Sequence, residues 1–182
     1  MVKERLGTYI SEYSEKNKNN EPFPVYSVTN SNGFCTEYFN KDVSSQDKRS
    51  YKIVPKGYFA YNPSRINVGS VDCQRYRDSV IVSPLYTVFK VSEKLNQDYL
   101  MFFFKSDYGK HLVNSNISGS VRSNLKFDVL SDFLINIESI EKQVQIVDQL
   151  KKIESLIKRE EKKLDLYDEL IKSRFIGQEV LA

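Results

Sequence analysis

The clearest pattern of apolar and polar positions lies between residues 140 and 175. Ile146, Leu150, Ile153, Ile157, Glu160, Leu164, Tyr167, Ile171 and Arg174 recur there at alternating spacings of four and three. This is the a/d repeat of a coiled-coil seam, and it predicts one uninterrupted helix of about four heptads. Charged residues fill most of the remaining positions, and no Pro or Gly appears before Gly177. Pairs such as Glu154 with Lys158 and Asp168 with Lys172 have the stabilising i,i+4 order. A narrow seam on a charged surface favours packing against another helix over lying flat on its own domain. Glu160 stands in the seam near its middle, where Arg159 or Lys163 is placed to neutralise it.

Upstream of the helix the apolar runs are short and β-branched or aromatic. Residues 25–34 (VYSVTNSNGF) read as strand, turn, strand around Asn30-Ser31-Asn32. In residues 51–70 (YKIVPKGYFAYNPSRINVGS), Lys56-Gly57 after Pro55 predicts a turn and residues 58–61 a short strand ended by Asn62-Pro63. A constrained polar loop carrying Ser64, Arg65 and Asn67 follows, before Gly69-Ser70. Further strands are expected at 80–82, 86–91 and 133–137. Residues 98–110 have helical spacing, with Tyr99, Phe102, Phe103 and Leu112 assigned to one face. Residues 38–48 are polar and read as loop or short helix. The fold class is therefore α+β: a mixed α/β domain over residues 1–137, then one long coiled-coil helix within 138–182.

Composition adds bounds. A chain of 182 residues suits one globular domain plus the helix. Its 12 Tyr and 11 Phe are ample for a core. Two cysteines, Cys35 and Cys73, without a signal peptide point to a reducing, cytoplasmic setting and no disulfide framework. No apolar run is long enough to span a membrane. The net charge is +3, and residues 1–137 hold 18 Lys/Arg against 14 Asp/Glu, a weak pointer to a polyanionic partner.

Chemistry is sparse. There is no phosphate-cradling Gly-Lys-Ser/Thr loop and no Gly-x-Gly-x-x-Gly turn. No Cys/His spacing suits zinc, the single His111 cannot form a metal cluster, and no Ser/His/Asp order is persuasive. The sequence thus offers no catalytic site, no metal site and no cofactor site. It offers polar loops instead: Asn30 and Asn32; Tyr61, Asn62, Arg65 and Asn67; Arg75 and Arg77; Ser120, Arg122 and Lys126. Arg and Lys can bridge guanine O6 and N7, Asn can bridge adenine N6 and N7, and Ser or Tyr reach phosphates or base edges. The competing reading is ordinary solvated loop chemistry, with Tyr61 and Asn62 equally suited to stabilising a turn.

The order PVYSVTNSNGF, YKIVPKGYFAYNPSRINVGS, VSPLYTVFKV, SGSVRSNL and a helix opening Lys142-Gln143 resembles a type I restriction–modification specificity subunit. The likeness covers about residues 5–175, and its Tyr-Asn-Pro-Ser-Arg-Ile-Asn-x-Gly-Ser and Ser-Pro-Leu-Tyr segments carry it most specifically. The resemblance implies a target recognition domain (1–137) that binds a short half-site in double-stranded DNA. It also implies a conserved spacer helix (138–182) that packs against a second such helix. It further implies a non-catalytic role, directing methyltransferase subunits and a restriction–translocase subunit. The family's usual chain carries two recognition domains and two helices. This sequence shows one of each and so resembles a half-subunit, and it lacks the proline that often precedes the helix. Pairing of two copies through Ile146, Leu150, Ile153, Ile157, Leu164, Tyr167 and Ile171 is the expected remedy. The seam spans roughly 40 Å, a little over one DNA turn. A stand-alone nuclease or methyltransferase lacks its motifs here. The remaining alternative is a coiled-coil interaction or antitoxin-like module without DNA specificity.

Overall fold

The computed structural model describes residues 3–36, 47–117 and 124–176. Most of the polar stretch 38–48, together with Ser120 and Arg122, lies outside the described residues. The chain divides into two compact units, Met1–Gln143 and Val144–Ala182.

The first unit is built on a four-stranded antiparallel sheet. Its strands are β2 (Ile10–Tyr13), β6 (Phe59–Tyr61), β7 (Val71–Cys73) and β9 (Thr87–Val91), in the order β2-β9-β6-β7. Successive side chains of a strand point to opposite faces, and β6 and β9 use this to serve two cores. Phe59 and Phe89 sit opposite each other in register, with their rings stacked at 5.0 Å between centroids. They join Tyr61, Val71 and Cys73 in the larger core, with Leu6 and the apolar residues of the helices. Ala60 and Val88 point the other way, into a smaller core. That second core is closed by the hairpin of β3 (Ser27–Thr29) and β4 (Gly33–Cys35), and by the ribbon of β5 (Lys52–Pro55) and β8 (Ser79–Val82). A further pair, β1 (Lys3–Arg5) with β10 (Leu134–Asn136), is also antiparallel.

The strands at 27–35, 59–61, 79–82, 87–91 and 134–136 match the periodicity of the sequence. The helical stretch does not, because it is two helices, α1 (Gln97–Lys105) and α2 (Asp107–Ile117). Ser106 leaves the helical conformation and its hydroxyl accepts the Gly109 N–H at 3.1 Å. Gly109 packs so closely on the Phe103 carbonyl that a Cβ would collide with it. The core face is Leu100 and Phe104, continued by Val113 and Ile117 in α2, with Tyr99, Phe102 and Phe103 only half-buried. Within α1 the expected face was therefore out of phase, since Leu100 and Phe104 take the buried positions, and the break at Ser106 starts a new register only for α2. A short helix α3 (Phe127–Ser131) and strands β1, β2, β5 and β7 were not anticipated either. All of them are brief segments that depend on long-range packing.

The first turn of α4 (Ile140–Ile176) is fastened by Gln143, which is fully buried. Its Oε1 accepts the Asn96 N–H at 2.8 Å, and its Nε2 donates to the carbonyls of Lys94 and Glu138 at 3.0 and 2.8 Å. In the second unit α4 continues without interruption. Ile153, Ile157, Leu164, Tyr167 and Ile171 of the seam are each at least half exposed, whereas Ile146 and Leu150 are half-buried. Glu160 accepts from Lys163 Nζ at 3.0 Å and from Arg159 at 3.2 Å. Both candidate cations thus engage it. The apolar surface is wider than the narrow seam inferred from the repeat, because Leu156, Leu166, Leu170 and Phe175 are also exposed. Among the described residues no helix is long and apolar enough to cross a membrane.

Candidate nucleic-acid interface

Two loops that are distant in sequence meet on the first unit. One is the turn Asn30–Asn32 between β3 and β4, where the Thr29 hydroxyl accepts the Asn32 N–H at 3.2 Å. Gly33 takes φ +58°, the left-handed region in which a side chain is costly. The other is the loop from Asn62 to Ser70. The Asn62 side-chain oxygen accepts the Ser64 N–H at 3.0 Å, residues Ile66–Val68 form a single 3-10 turn, and Gly69 closes it at φ +91°. Ser70 joins the two loops: its hydroxyl donates to the Val28 carbonyl at 2.6 Å. Asp72 does the same from β7, accepting the Phe34 N–H at 3.0 Å and the Cys73 N–H at 2.7 Å.

The result is a cleft of about 530 Å³. The hairpin tip with Asn30 and Asn32 lines one side, and Asn67 and Gly69 line the next. Lys105 and Lys110, from the α1–α2 junction, complete it. Behind Asn30, a smaller recess of about 170 Å³ is shared with Asn62 and Arg65. On the other side of the hairpin tip, Asn32 also borders an open cleft of about 590 Å³ with Tyr26, Phe34, Tyr76 and Arg77. Five of the expected residues (Asn30, Asn32, Asn62, Arg65 and Asn67) are thereby brought together, with Arg77 on the adjoining cleft. Lys126 is exposed beside them, since Leu125 donates its N–H to the Pro63 carbonyl at 3.0 Å.

One expectation is corrected. Tyr61 has no exposed surface; its hydroxyl donates to the Leu125 carbonyl at 3.1 Å and its ring packs edge-on to Phe89. Burial pushes its phenol pKa up. It supports the loop from beneath and has no face for DNA. Arg75 is exposed on the adjoining loop and pairs with Asp98, in the first turn of α1, at 2.6 Å. Asn62 does what the turn reading required of it, while still bordering the recess. Lys105, Lys110 and Tyr76 were missed. The lysines become cleft residues only through the break at Ser106, which no local signal announces. Tyr76, an aromatic between two arginines with 64% of its surface exposed, could have been flagged.

An assembly of amides, guanidinium and ammonium groups on rigid loops suits hydrogen-bond readout of base edges with cationic contacts to phosphates. Among the described residues, no group of three or more His, Cys, Asp or Glu side chains is placed to hold a metal ion.

A family model described as the type I restriction modification DNA specificity domain matches residues 5–166. Among solved structures, the HsdS subunit from Thermoanaerobacter tengcongensis matches with a TM-score of 0.63 and 15% identity, over 86% of this chain and 43% of that one. A chain from "Structural basis underlying complex assembly and conformational transition of the type I R-M system" matches with a TM-score of 0.57 and 14% identity. That match covers 84% of this chain and 38% of the other. The chain thus spans about two fifths of the length of these structures, and at such identities the likeness is one of fold. No curated protein matches.

Proposed function

The chain belongs to the type I restriction–modification DNA specificity domain family, and on that premise we propose that it recognises one half of a bipartite DNA site. Residues 1–137 act as the target recognition domain and 138–182 as the spacer helix. The chain contributes specificity and no chemistry of its own. It delivers DNA to methyltransferase subunits and, where the host has one, to a restriction–translocase subunit. The observation that carries this reading is the meeting of Asn30, Asn32, Asn62, Arg65 and Asn67 on two mutually bonded loops, beside Lys105 and Lys110. Such loops combine base-reading amides with cations at fixed spacing, and their internal bonds reduce the ordering cost of binding.

One recognition domain reads only a few base pairs, too few to single out sites in a genome. Two copies paired through the seam of α4 would read a palindromic site. If the helices run antiparallel, the two domains sit at opposite ends about a two-fold axis, with identical inverted half-sites around a fixed spacer.

The test is selection of duplexes by the full chain from a randomised library, followed by binding of alanine variants. Arg65→Ala should weaken the selected duplex by about 1–3 kcal/mol and relax its sequence preference. Asn67→Ala should act in the same direction. If the chain enriches no duplex, or if Asn62, Arg65 and Asn67 can all be replaced without effect, the reading is wrong.

A further inference from the structure

The segment Gln74–Asp78 joins β7 to β8 at the rim of the open cleft, and its shape is set from inside the fold. Gln74 is fully buried. Its Oε1 accepts the N–H groups of Tyr76 and Arg77 at 2.6 and 3.1 Å, and its Nε2 donates to the Arg77 carbonyl at 2.6 Å. A single amide thereby holds three backbone groups of the loop, a job that an apolar side chain of the same size cannot do. The base of the loop is tied down as well. Gln74 donates its N–H to the Tyr58 carbonyl at 2.8 Å, Gly57 donates to the Gln74 carbonyl at 2.7 Å, and Lys56 donates to the Asp78 carbonyl at 2.9 Å. On its flank, Arg75 is braced against Asp98 at 2.6 Å.

This bonding directs two side chains outward. Tyr76 is 64% exposed and Arg77 is exposed beside it. At that exposure the Tyr76 ring adds little to the core, so its fixed presentation calls for an explanation other than stability. A rigid loop carrying Tyr and Arg is the composition of a binding anchor, because neither the loop nor the short tyrosine side chain needs much ordering. The guanidinium and the phenol hydroxyl are donors suited to phosphate oxygens. The ring face suits the apolar side of a deoxyribose. Across the cleft, walled by Tyr26 and Phe34, stands Asn32, one of the amides at the hairpin tip.

Resting on the DNA-reading role above, we propose that Gln74–Asp78 is a preformed arm that grips the DNA backbone through Tyr76 and Arg77. It holds the duplex while Asn32 meets the neighbouring bases. Gln74 is its positioning residue and Arg75 its brace.

The experiment measures affinity of the full chain for a duplex that it selects from a random library and for a scrambled duplex, at several salt concentrations. Arg77→Ala should weaken both duplexes alike, by about tenfold, and lower the salt slope by about one. Tyr76→Ala should also weaken both alike. Gln74→Met should mimic these losses, and adding Arg77→Ala to it should cost little more, since the arginine is already misplaced. Thermal melting checks that the Gln74 variant is folded, and the surface variants test the arm if it is not. Tyr76→Ala and Arg77→Ala variants that bind like wild type would overturn the arm while leaving the DNA reading intact. A loss confined to the selected duplex would overturn the backbone role. Full additivity of Gln74→Met with Arg77→Ala would overturn the positioning role. A wild-type chain that enriches no duplex at all removes the DNA reading, and the arm with it.

Discussion

The Asn30 side chain lies directly over Gly69, so closely that a Cβ added at Gly69 would collide with its carboxamide. The glycine therefore sets both the path of the 62–70 loop, at φ +91°, and the place of an amide at the hairpin tip. Gly69→Ala should cost about 1–2 kcal/mol from the left-handed backbone alone, with a further loss from the collision. Urea denaturation should show the drop, and duplex affinity should fall with it. Adding Asn30→Ala should restore part of the stability and none of the binding. If Gly69→Ala matches wild type in both assays, the two loops are not coupled through this contact.

Gln143 is the polar anchor of the first turn of α4. Gln143→Leu keeps the volume but strands the Asn96 N–H and two carbonyls that now have partners. Each buried group left unpaired costs about 1–3 kcal/mol. Since these sites are partly reachable by water, a total loss near 2–3 kcal/mol is expected by chemical denaturation. Gln143→Glu keeps the acceptor for Asn96 and loses both donated bonds, so it should not rescue. A Leu variant with wild-type stability would show that the anchor is dispensable.

Burial pushes the Cys73 thiol up to about 12 from its ordinary value of 9.0. In the native state at pH 8 it should resist alkylation, and the half-buried Cys35 should react first; in urea both should react. The sign of the linked stability follows from which state releases its proton earlier. The unfolded thiol ionises near 9 and the folded one near 12. Its contribution is thus complete below about pH 9 and is lost as pH rises toward 12. Tyr13, raised to about 12 mainly by burial and then by its bond to Glu15, acts in the same sense. Urea midpoints should fall between pH 9 and 11, and less steeply in Cys73→Ala. An unchanged slope would show that Cys73 is not the linked group.

The long helix and the strands within 27–35, 59–61, 79–82, 87–91 and 134–136 were legible because their signals are local, whereas β1, β2, β5 and β7 were not. Ile146 to Ile171 repeat over many turns, and Asn30-Ser31-Asn32-Gly33 marks a hairpin by turn chemistry. Tyr61 was misread because its hydroxyl looks like surface chemistry, while its burial comes from Phe89 and Leu125, far away in the chain. The Lys105 and Lys110 wall was invisible for the same reason: Ser106 reads as one more polar residue of a helix until Gly109 is seen against the Phe103 carbonyl. Membership of a polar loop could be read from sequence; the face each side chain presents could not.

The widest consequence of the proposed pairing lies in α4. Ile153, Ile157, Leu164, Tyr167 and Ile171 are all at least half exposed, an apolar row that a lone helix has no means of covering. Replacing Leu150, Ile157 and Leu164 with Asp puts charges along that row and should convert a dimer into monomers by light scattering. Thermal melting of the sheet-containing unit should change much less, because its two cores do not include these residues. Glu160 supplies the opposite test. It occupies the middle of the row and is held by Arg159 and Lys163, and a polar residue at one seam position typically costs stability in return for register. Glu160→Leu should therefore tighten the dimer and loosen its register. Site-specific binding should vanish in the triple Asp variant and weaken in Glu160→Leu only if half-site spacing depends on that register. A wild-type chain that is monomeric at every concentration used for DNA binding would refute the symmetric pair. So would an asymmetric methylated motif with this chain as the sole specificity protein, and a different half-subunit would then be the partner to seek.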